Sequence, residues 1–230
     1  MKTRLLIPAT VCAIALSSTA NAQSFSEPYI SLFLGASKNL NSDFRKDPSP
    51  ETDRTNNVLS YDLGGTGGIA IGAQMGANVR GEMEFAYSKG GVSSFLEGGF
   101  SFREVASPGD AIDAFTVMAN VWKDLDIGIG DSAHIGAGVG LAKVSASFAD
   151  TDDQGETFPI NSSDNVLAAQ VGFGFSWNTG NGGKIGLDFK YLATREATFS
   201  GVHSDDGPLN AHHSLRRGSV ALTYTMPLNN

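Results

Sequence analysis

Leu167-Ala168-Ala169-Gln170-Val171-Gly172-Phe173-Gly174-Phe175-Ser176-Trp177 is a stretch in which every odd-numbered residue is apolar and every even-numbered residue is small or polar. Successive side chains of a β-strand point to opposite faces, so this stretch predicts a strand with one apolar and one small face. A soluble sandwich would carry larger polar groups on its solvent side. The small face instead favours a closed barrel with lipid outside and a narrow interior.

Seven further stretches alternate in the same way, and the connections between the eight are by turns long and short. The predicted strands are residues 29–37, 67–76, 79–88, 112–122, 133–148, 167–177, 184–194 and 214–226. Short turns on one side and long loops on the other are typical of outer membrane barrels, whose tilted strands need about 9–11 residues to cross a bilayer. The pattern therefore predicts an all-β fold, an eight-stranded antiparallel up-and-down transmembrane barrel.

The beginning of the chain has the three parts of a secretory signal. Lys2 and Arg4 give a positive start, residues 5–16 form an apolar run, and Ala20-Asn21-Ala22 is an A-x-A cleavage site. The run has about twelve residues, which is too few for a helix that spans a bilayer. We therefore expect residues 1–22 to be a signal peptide, cleaved between Ala22 and Gln23, and residues 23–230 to form one barrel domain.

Composition narrows the classes of partner. The only cysteine, Cys12, lies inside the predicted signal, so the mature chain offers neither a disulfide nor a thiolate site. The net charge is −8, and removal of Lys2 and Arg4 makes it −10, which argues against nucleic acid as a partner. These properties suit a monomeric, exported surface protein with acidic loops.

A soluble, lipocalin-like barrel is the competing fold. Such a barrel holds its apolar face inside, around a small ligand, and turns its other face to water. The second face of this chain would then be a solvated surface built mostly from glycine, alanine and serine, which is unusual. The alternation therefore favours the membrane barrel.

The stretch Val79-Arg80-Gly81-Glu82-Met83-Glu84-Phe85-Ala86-Tyr87 resembles the R-x-E-x-E-x-x-Y strand of the opacity-type surface antigens, which belong to the OmpA-like superfamily of eight-stranded outer membrane barrels. Further similar pieces, in the same order as in that family, are residues 28–35, 118–122, 136–140 and 187–191. The resemblance implies a surface antigen in the outer membrane of a Gram-negative bacterium, with a role in adhesion, host interaction or envelope integrity. It implies lipid and lipopolysaccharide around the barrel, and host or envelope proteins at the four long loops.

Charged residues on the small face are the main candidates for a specific role. These candidates are Arg80, Glu82, Glu84, Asp188, Lys190 and Arg217. A lone charge inside a narrow barrel is costly, so we expect these six to pair into a network. The network could be a structural plug that blocks the lumen, or it could line a gated pore, which would make the protein a small porin.

Possible metal sites have weak signals. The acidic stretch Asp150–Glu156 resembles the beginning of a calcium loop, but Asn161 stands where the bidentate glutamate belongs. We therefore interpret it as an acidic surface loop. His203, His212 and His213 have no partner at a spacing typical of metal ligands. The sequence predicts neither a metal nor a cofactor.

An outer membrane lipid-modifying hydrolase is the enzymatic alternative. Ser132 and His134 would share a face of their strand, but no G-x-S-x-G motif accompanies them and the acid would have to come from elsewhere. We therefore predict no catalytic activity. The aromatic stretch Phe95–Phe102 in the second long segment could anchor a protein partner, or it could pack against neighbouring loops or the lipid rim.

Overall fold

Strands account for nearly all of the described chain. The computed structural model describes residues 26–40, 42–47, 57–96, 103–105, 110–126, 132–151, 157–180, 182–203 and 207–228. The strands are β1 (Ser26–Asn39), β2 (Ser42–Asp47), β3 (Asn57–Tyr61), β4 (Leu63–Gly76), β5 (Val79–Leu96), β6 (Arg103–Val105), β7 (Ala111–Asp126), β8 (Ser132–Thr151), β9 (Thr157–Asn178), β10 (Lys184–His203) and β11 (Gly207–Pro227). Within these residues no helix is long and apolar enough to cross a membrane.

Eight of these strands close into a barrel. The ring runs β1–β4–β5–β7–β8–β9–β10–β11, every pair is antiparallel, and β11 pairs with β1 to complete it. The predicted eight-stranded up-and-down barrel is confirmed. The predicted signal peptide, residues 1–22, lies outside the described residues.

The register fixes the tilt of the strands. Partners followed around the ring from Ile135 on β8 lead back to Ser145, ten residues further along the same strand. With about 3.3 Å per residue and about 4.8 Å between strands, this stagger gives a tilt of about 40°. A barrel of eight strands with this tilt is narrow, and its side chains can fill the interior.

Apolar side chains cover the outside of the barrel. Leu34 is 75% exposed, Val139 68% and Leu222 65%. The outward apolar side chains of β8 run from Ala133 to Leu141, which corresponds to about 20 Å along the barrel axis. This orientation contradicts the soluble alternative, which needs the same residues inside.

The strands extend well past their predicted ends at the side of the long connections. In the third and fourth long segments, pairing continues to Thr151–Thr157 between β8 and β9 and to His203–Gly207 between β10 and β11. Most of the residues predicted as polar loops there are therefore strand. These extensions were not predicted because both faces of the segments carry polar residues.

Strands β2 and β3 continue the ring where β1 and β4 end. Pairing of β1 with β11 stops at Asn39–Arg217, and β2 then pairs with β11 from His213 outward. In the same way β3 pairs with β5 beyond the end of β4. The first long segment therefore supplies two additional strands, and the barrel extends beyond its apolar band. We call this part the outer extension.

Candidate functional site: the barrel interior

Arg80, Glu82 and Tyr29 form a polar cluster inside the barrel near the short turns. Arg80 donates hydrogen bonds to Glu82 Oε1 at 3.1 Å and to Asp124 Oδ1 at 3.0 Å. Tyr29 donates to the same Glu82 oxygen at 2.7 Å, and Trp122 Nε1 donates to the other at 2.7 Å. These contacts link β1, β5 and β7 across the lumen.

Glu84 and Lys190 form a second ion pair, deeper in the lumen. Lys190 Nζ lies 2.6 Å from Glu84 Oε2, and Glu84 is only 2% exposed. Asn120 Nδ2 donates to the same carboxylate oxygen at 3.1 Å. The ammonium group also lies 4.5 Å from the centre of the Phe33 ring, at cation–π distance. This pair therefore joins strands from opposite sides of the ring.

Asp188 is hydrogen-bonded to a histidine and a threonine. His134 Nε2 donates to its Oδ1 at 2.8 Å, and Thr223 Oγ1 donates to its Oδ2. The glycines of the opening stretch make room for this cluster, because a Cβ at Gly174 would collide with both Asp188 and His134. A narrow lumen can hold buried polar side chains only where the facing residues are this small.

Arg217 lies apart from the carboxylate pairs. Its Nε donates to Asn39 Oδ1 at 2.6 Å and one terminal nitrogen donates to the carbonyl of Ile112 at 3.2 Å. Among the described residues it forms no ion pair with a carboxylate. Of the six predicted charges, the structure brings five into the ion pairs Arg80–Glu82, Arg80–Asp124 and Glu84–Lys190 and the histidine–aspartate pair, all toward the short turns. It places Arg217 further along the lumen.

Apolar side chains fill the lumen on the side of the long connections. Phe199 and Ile112 are fully buried there, with Val144 and Leu215, and the same cluster reaches inward to Met118, the register partner of Glu84. This cluster was missed in the sequence, where the inward face was predicted to carry small or polar residues with an occasional charge. Val144 and Ala146, which alternate with outward polar residues, are the signal that could have indicated it. The interior therefore has a polar half toward the short turns and a mainly apolar half toward the long connections, and the second half also holds the polar pairs Arg217–Asn39 and Tyr61–His213.

Two cavities remain in the polar half of the lumen. The larger, about 160 Å³, lies near the short turns against Tyr29, Arg80 and His134. The smaller, about 30 Å³, lies further in, beside Glu84 and Lys190. Among the described residues, the packed side chains of the apolar cluster lie between these cavities and the long connections.

The enzymatic and metal candidates have other partners. Ser132 Oγ lies 2.7 Å from Ser176 Oγ, so its hydrogen bond is not with His134. His213 Nε2 lies 2.9 Å from the Tyr61 hydroxyl, and His212 Nδ1 lies 3.2 Å from Thr198 Oγ1. No three metal-binding side chains of the described residues are arranged around a common point.

Several predicted features lie outside the described residues. Residues 152–156 of the acidic stretch and residues 97–102 of the aromatic stretch belong to this group, and so does the side chain of His203.

Solved structures of outer membrane proteins share this fold. No family model matches the sequence, and no curated protein matches it. The outer membrane protein OprG from Pseudomonas aeruginosa superposes with a TM-score of 0.63 at 10% identity, over 88% of this chain and 97% of that one. Neisserial surface protein A gives 0.52 at 12% identity, over 89% and 99%. The outer membrane protein AlkL, solved in lipid bilayers, gives 0.51 at 16% identity, over 93% and 97%. At these identities the likeness shows the fold, which is that of the outer membrane β-barrels.

Proposed function

We propose, for a chain with the fold of the outer membrane β-barrels, that it is a non-conducting surface protein of the Gram-negative outer membrane. Its lumen is a structural core that holds the barrel rigid. Its outer extension carries the segments that contact other molecules, in adhesion, host interaction or envelope integrity.

The packing of the lumen carries this proposal. A pore needs a continuous polar path, whereas here fully buried apolar side chains such as Phe199, Ile112 and Leu215 occupy much of the outer half. In the inner half, ion pairs such as Glu84–Lys190 are desolvated and directly bonded. Such an interior stabilises a barrel and fills much of the lumen with packed side chains, so it argues against the small porin.

The outer extension supports a role at the cell surface. Strands β2 and β3 complete the ring above β1 and β4, so the connecting segments begin from a rigid, hydrogen-bonded rim. Connecting loops on a rigid scaffold are where proteins usually place their binding residues. The aromatic stretch Phe95–Phe102 begins at this rim and is our candidate for a protein contact.

Export and partners follow from the same proposal. The signal of residues 1–22 directs secretion and is cleaved after Ala22. The mature chain inserts as a monomer among outer membrane lipid and lipopolysaccharide. Ser132 and His134 do not form a catalytic pair, so we propose a binding and structural role and no hydrolase activity.

Single cysteines test the orientation of the barrel, since the predicted mature chain has none of its own. Ser163 is exposed on β9, four residues beyond Leu167, and Ala77 is exposed in the short β4–β5 turn. We expect a membrane-impermeant maleimide to label Ser163→Cys in intact cells and Ala77→Cys only after the outer membrane is permeabilised. Each site is the control for the other.

Labelling of Ala77→Cys but not Ser163→Cys in intact cells would reverse the proposed orientation. Labelling of both would mean that the chain does not span the membrane.

A further inference from the structure

Basic residues lie along the edge of the apolar band that faces the long connections, which we call its upper edge. On five strands the outward apolar side chains are followed, at the side of the long connections, by an exposed lysine or arginine. These residues are Lys38 on β1, Lys89 on β5, Lys143 on β8, Arg195 on β10 and Arg216 on β11. The register and the tilt place the five within about 4 Å of one another along the barrel axis. In a chain with net charge −8, this rim is a local excess of positive charge.

Three of the five lie side by side. Lys38, Arg216 and Arg195 stand on β1, β11 and β10, which are neighbours in the ring. Among the described residues none of the three forms an ion pair with a carboxylate. Lys89, by contrast, stands opposite Asp113 in the register. We call Lys38, Arg216 and Arg195 the cationic trio.

An apolar groove crosses the outer face and ends at Lys38, one member of the cationic trio. It has a volume of about 930 Å³ and is lined almost entirely by apolar side chains. Its lower wall follows the register row Ile135, Phe173, Phe189, Val220 and Ala36.

The upper wall of the groove is the next outward row. It consists of Ala137, Val171, Tyr191, Gly218 and Lys38. Because the strands are tilted, both rows rise from β8 toward β1. The groove spans five strands, about 19 Å, which is comparable to one leaflet of a hydrocarbon core about 30 Å thick.

Gly218 opens the groove directly beside the trio. It is the outward residue between Arg216 and Val220, and a Cβ built there would meet no atom within 4 Å. The missing side chain leaves a gap next to Lys38, its partner in the register. The gap joins the apolar groove to the charged rim.

We propose that this face binds one molecule of the phosphorylated glycolipid of the outer leaflet, the lipid end of lipopolysaccharide. Its phosphates contact the cationic trio. One acyl chain lies in the groove and joins the headgroup at the end of the groove beside Lys38. The assignment rests on the proposed function, because only the stated orientation places the trio in the outer leaflet. It adds a specific lipid and a specific binding face to that proposal.

The chemistry of the trio suits phosphate. Arginine binds a phosphate through two parallel hydrogen bonds, and lysine adds a mobile point charge. Three cations on neighbouring strands match a headgroup that carries two phosphates better than one that carries a single phosphate. The groove adds contact with an acyl chain, so charge and shape both favour a phosphorylated, multiply acylated glycolipid.

Native mass spectrometry of the folded, purified barrel tests the assignment. The probes are bis-phosphorylated lipid A, its monophosphorylated form and phosphatidylglycerol. We expect one bound bis-phosphorylated lipid A, retained in preference to the other two. Loss of each cation near a membrane surface weakens anionic lipid binding about fivefold, so we expect Lys38→Gln/Arg216→Gln to weaken it by about 25-fold. Gly218→Leu fills the gap and should weaken lipid A binding while the charges stay in place.

Matched controls separate a site from general attraction. The control for the trio pair is Lys89→Gln/Lys143→Gln, which removes two cations from the same rim near Asp113. The control for Gly218→Leu is Ala119→Leu, which adds an outward side chain on β7, away from the groove. Both should bind lipid A like the wild type. An equal loss in the control pair and the trio pair, or no preference for lipid A, would overturn the assignment. The cysteine labelling pattern tests the proposed function separately.

Discussion

Replacement of Glu84 by alanine is expected to destabilise the folded barrel by about 3–5 kcal/mol. Glu84 is buried and accepts hydrogen bonds from Lys190 at 2.6 Å and from Asn120 at 3.1 Å. Without it the ammonium of Lys190 stays buried with no carboxylate bonded to it, and an unpaired buried charge is far more costly than the loss of a pair. Reversible urea unfolding in lipid vesicles, followed by the heat-modifiable shift on gels, measures the change.

The double variant Glu84→Leu/Lys190→Met is the control. It removes both charges and leaves apolar side chains of similar size, which is often nearly neutral for a buried pair. We expect it to recover most of the stability lost in Glu84→Ala. Equal destabilisation by the single and double variants would show that shape, and not the unpaired charge, dominates at this position.

Truncation of Phe199 to alanine is expected to cost about 3–5 kcal/mol as well. Phe199 is fully buried in the apolar half of the lumen, together with Ile112 and Leu215. Its removal leaves a cavity in a closed ring of strands, which can relax only a little. The same urea titration measures this loss.

Phe115→Ala on β7 is the matched control on the outer face. Phe115 is 46% exposed on the apolar outside, where lipid chains can fill the space that the ring vacates. Its loss should therefore cost clearly less than that of Phe199. Similar losses at the two positions would mean that the outer half of the lumen is not a packed core.

The barrel was predictable from sequence because lipid imposes a strict rule on each strand. In the stretch Leu167–Trp177, every outward residue must be apolar, and no other environment produces the same alternation beside so small a second face. The outer extension was not predictable in this way. Segments such as residues 161–165 lie beyond the apolar band, so either face can carry polar residues and the period of two disappears.

The interior was predictable only in part. The inward phase of Arg80, Glu82 and Glu84 is visible in the sequence, and the cost of burying charge implies partners. Which partners they find depends on the stagger of ten residues around the ring, which brings Lys190 to Glu84 and leaves His134 with Asp188. The apolar half depends on residues such as Phe199 that lie in a segment predicted as loop.

A planar-bilayer recording of the folded, purified protein tests the sealed lumen most directly. Because packed apolar side chains fill much of the outer half of the lumen and bonded ion pairs lie in the inner half, we expect no steady conductance above that of the bare bilayer, at any voltage that the bilayer withstands. A reproducible, sustained single-channel conductance would contradict it.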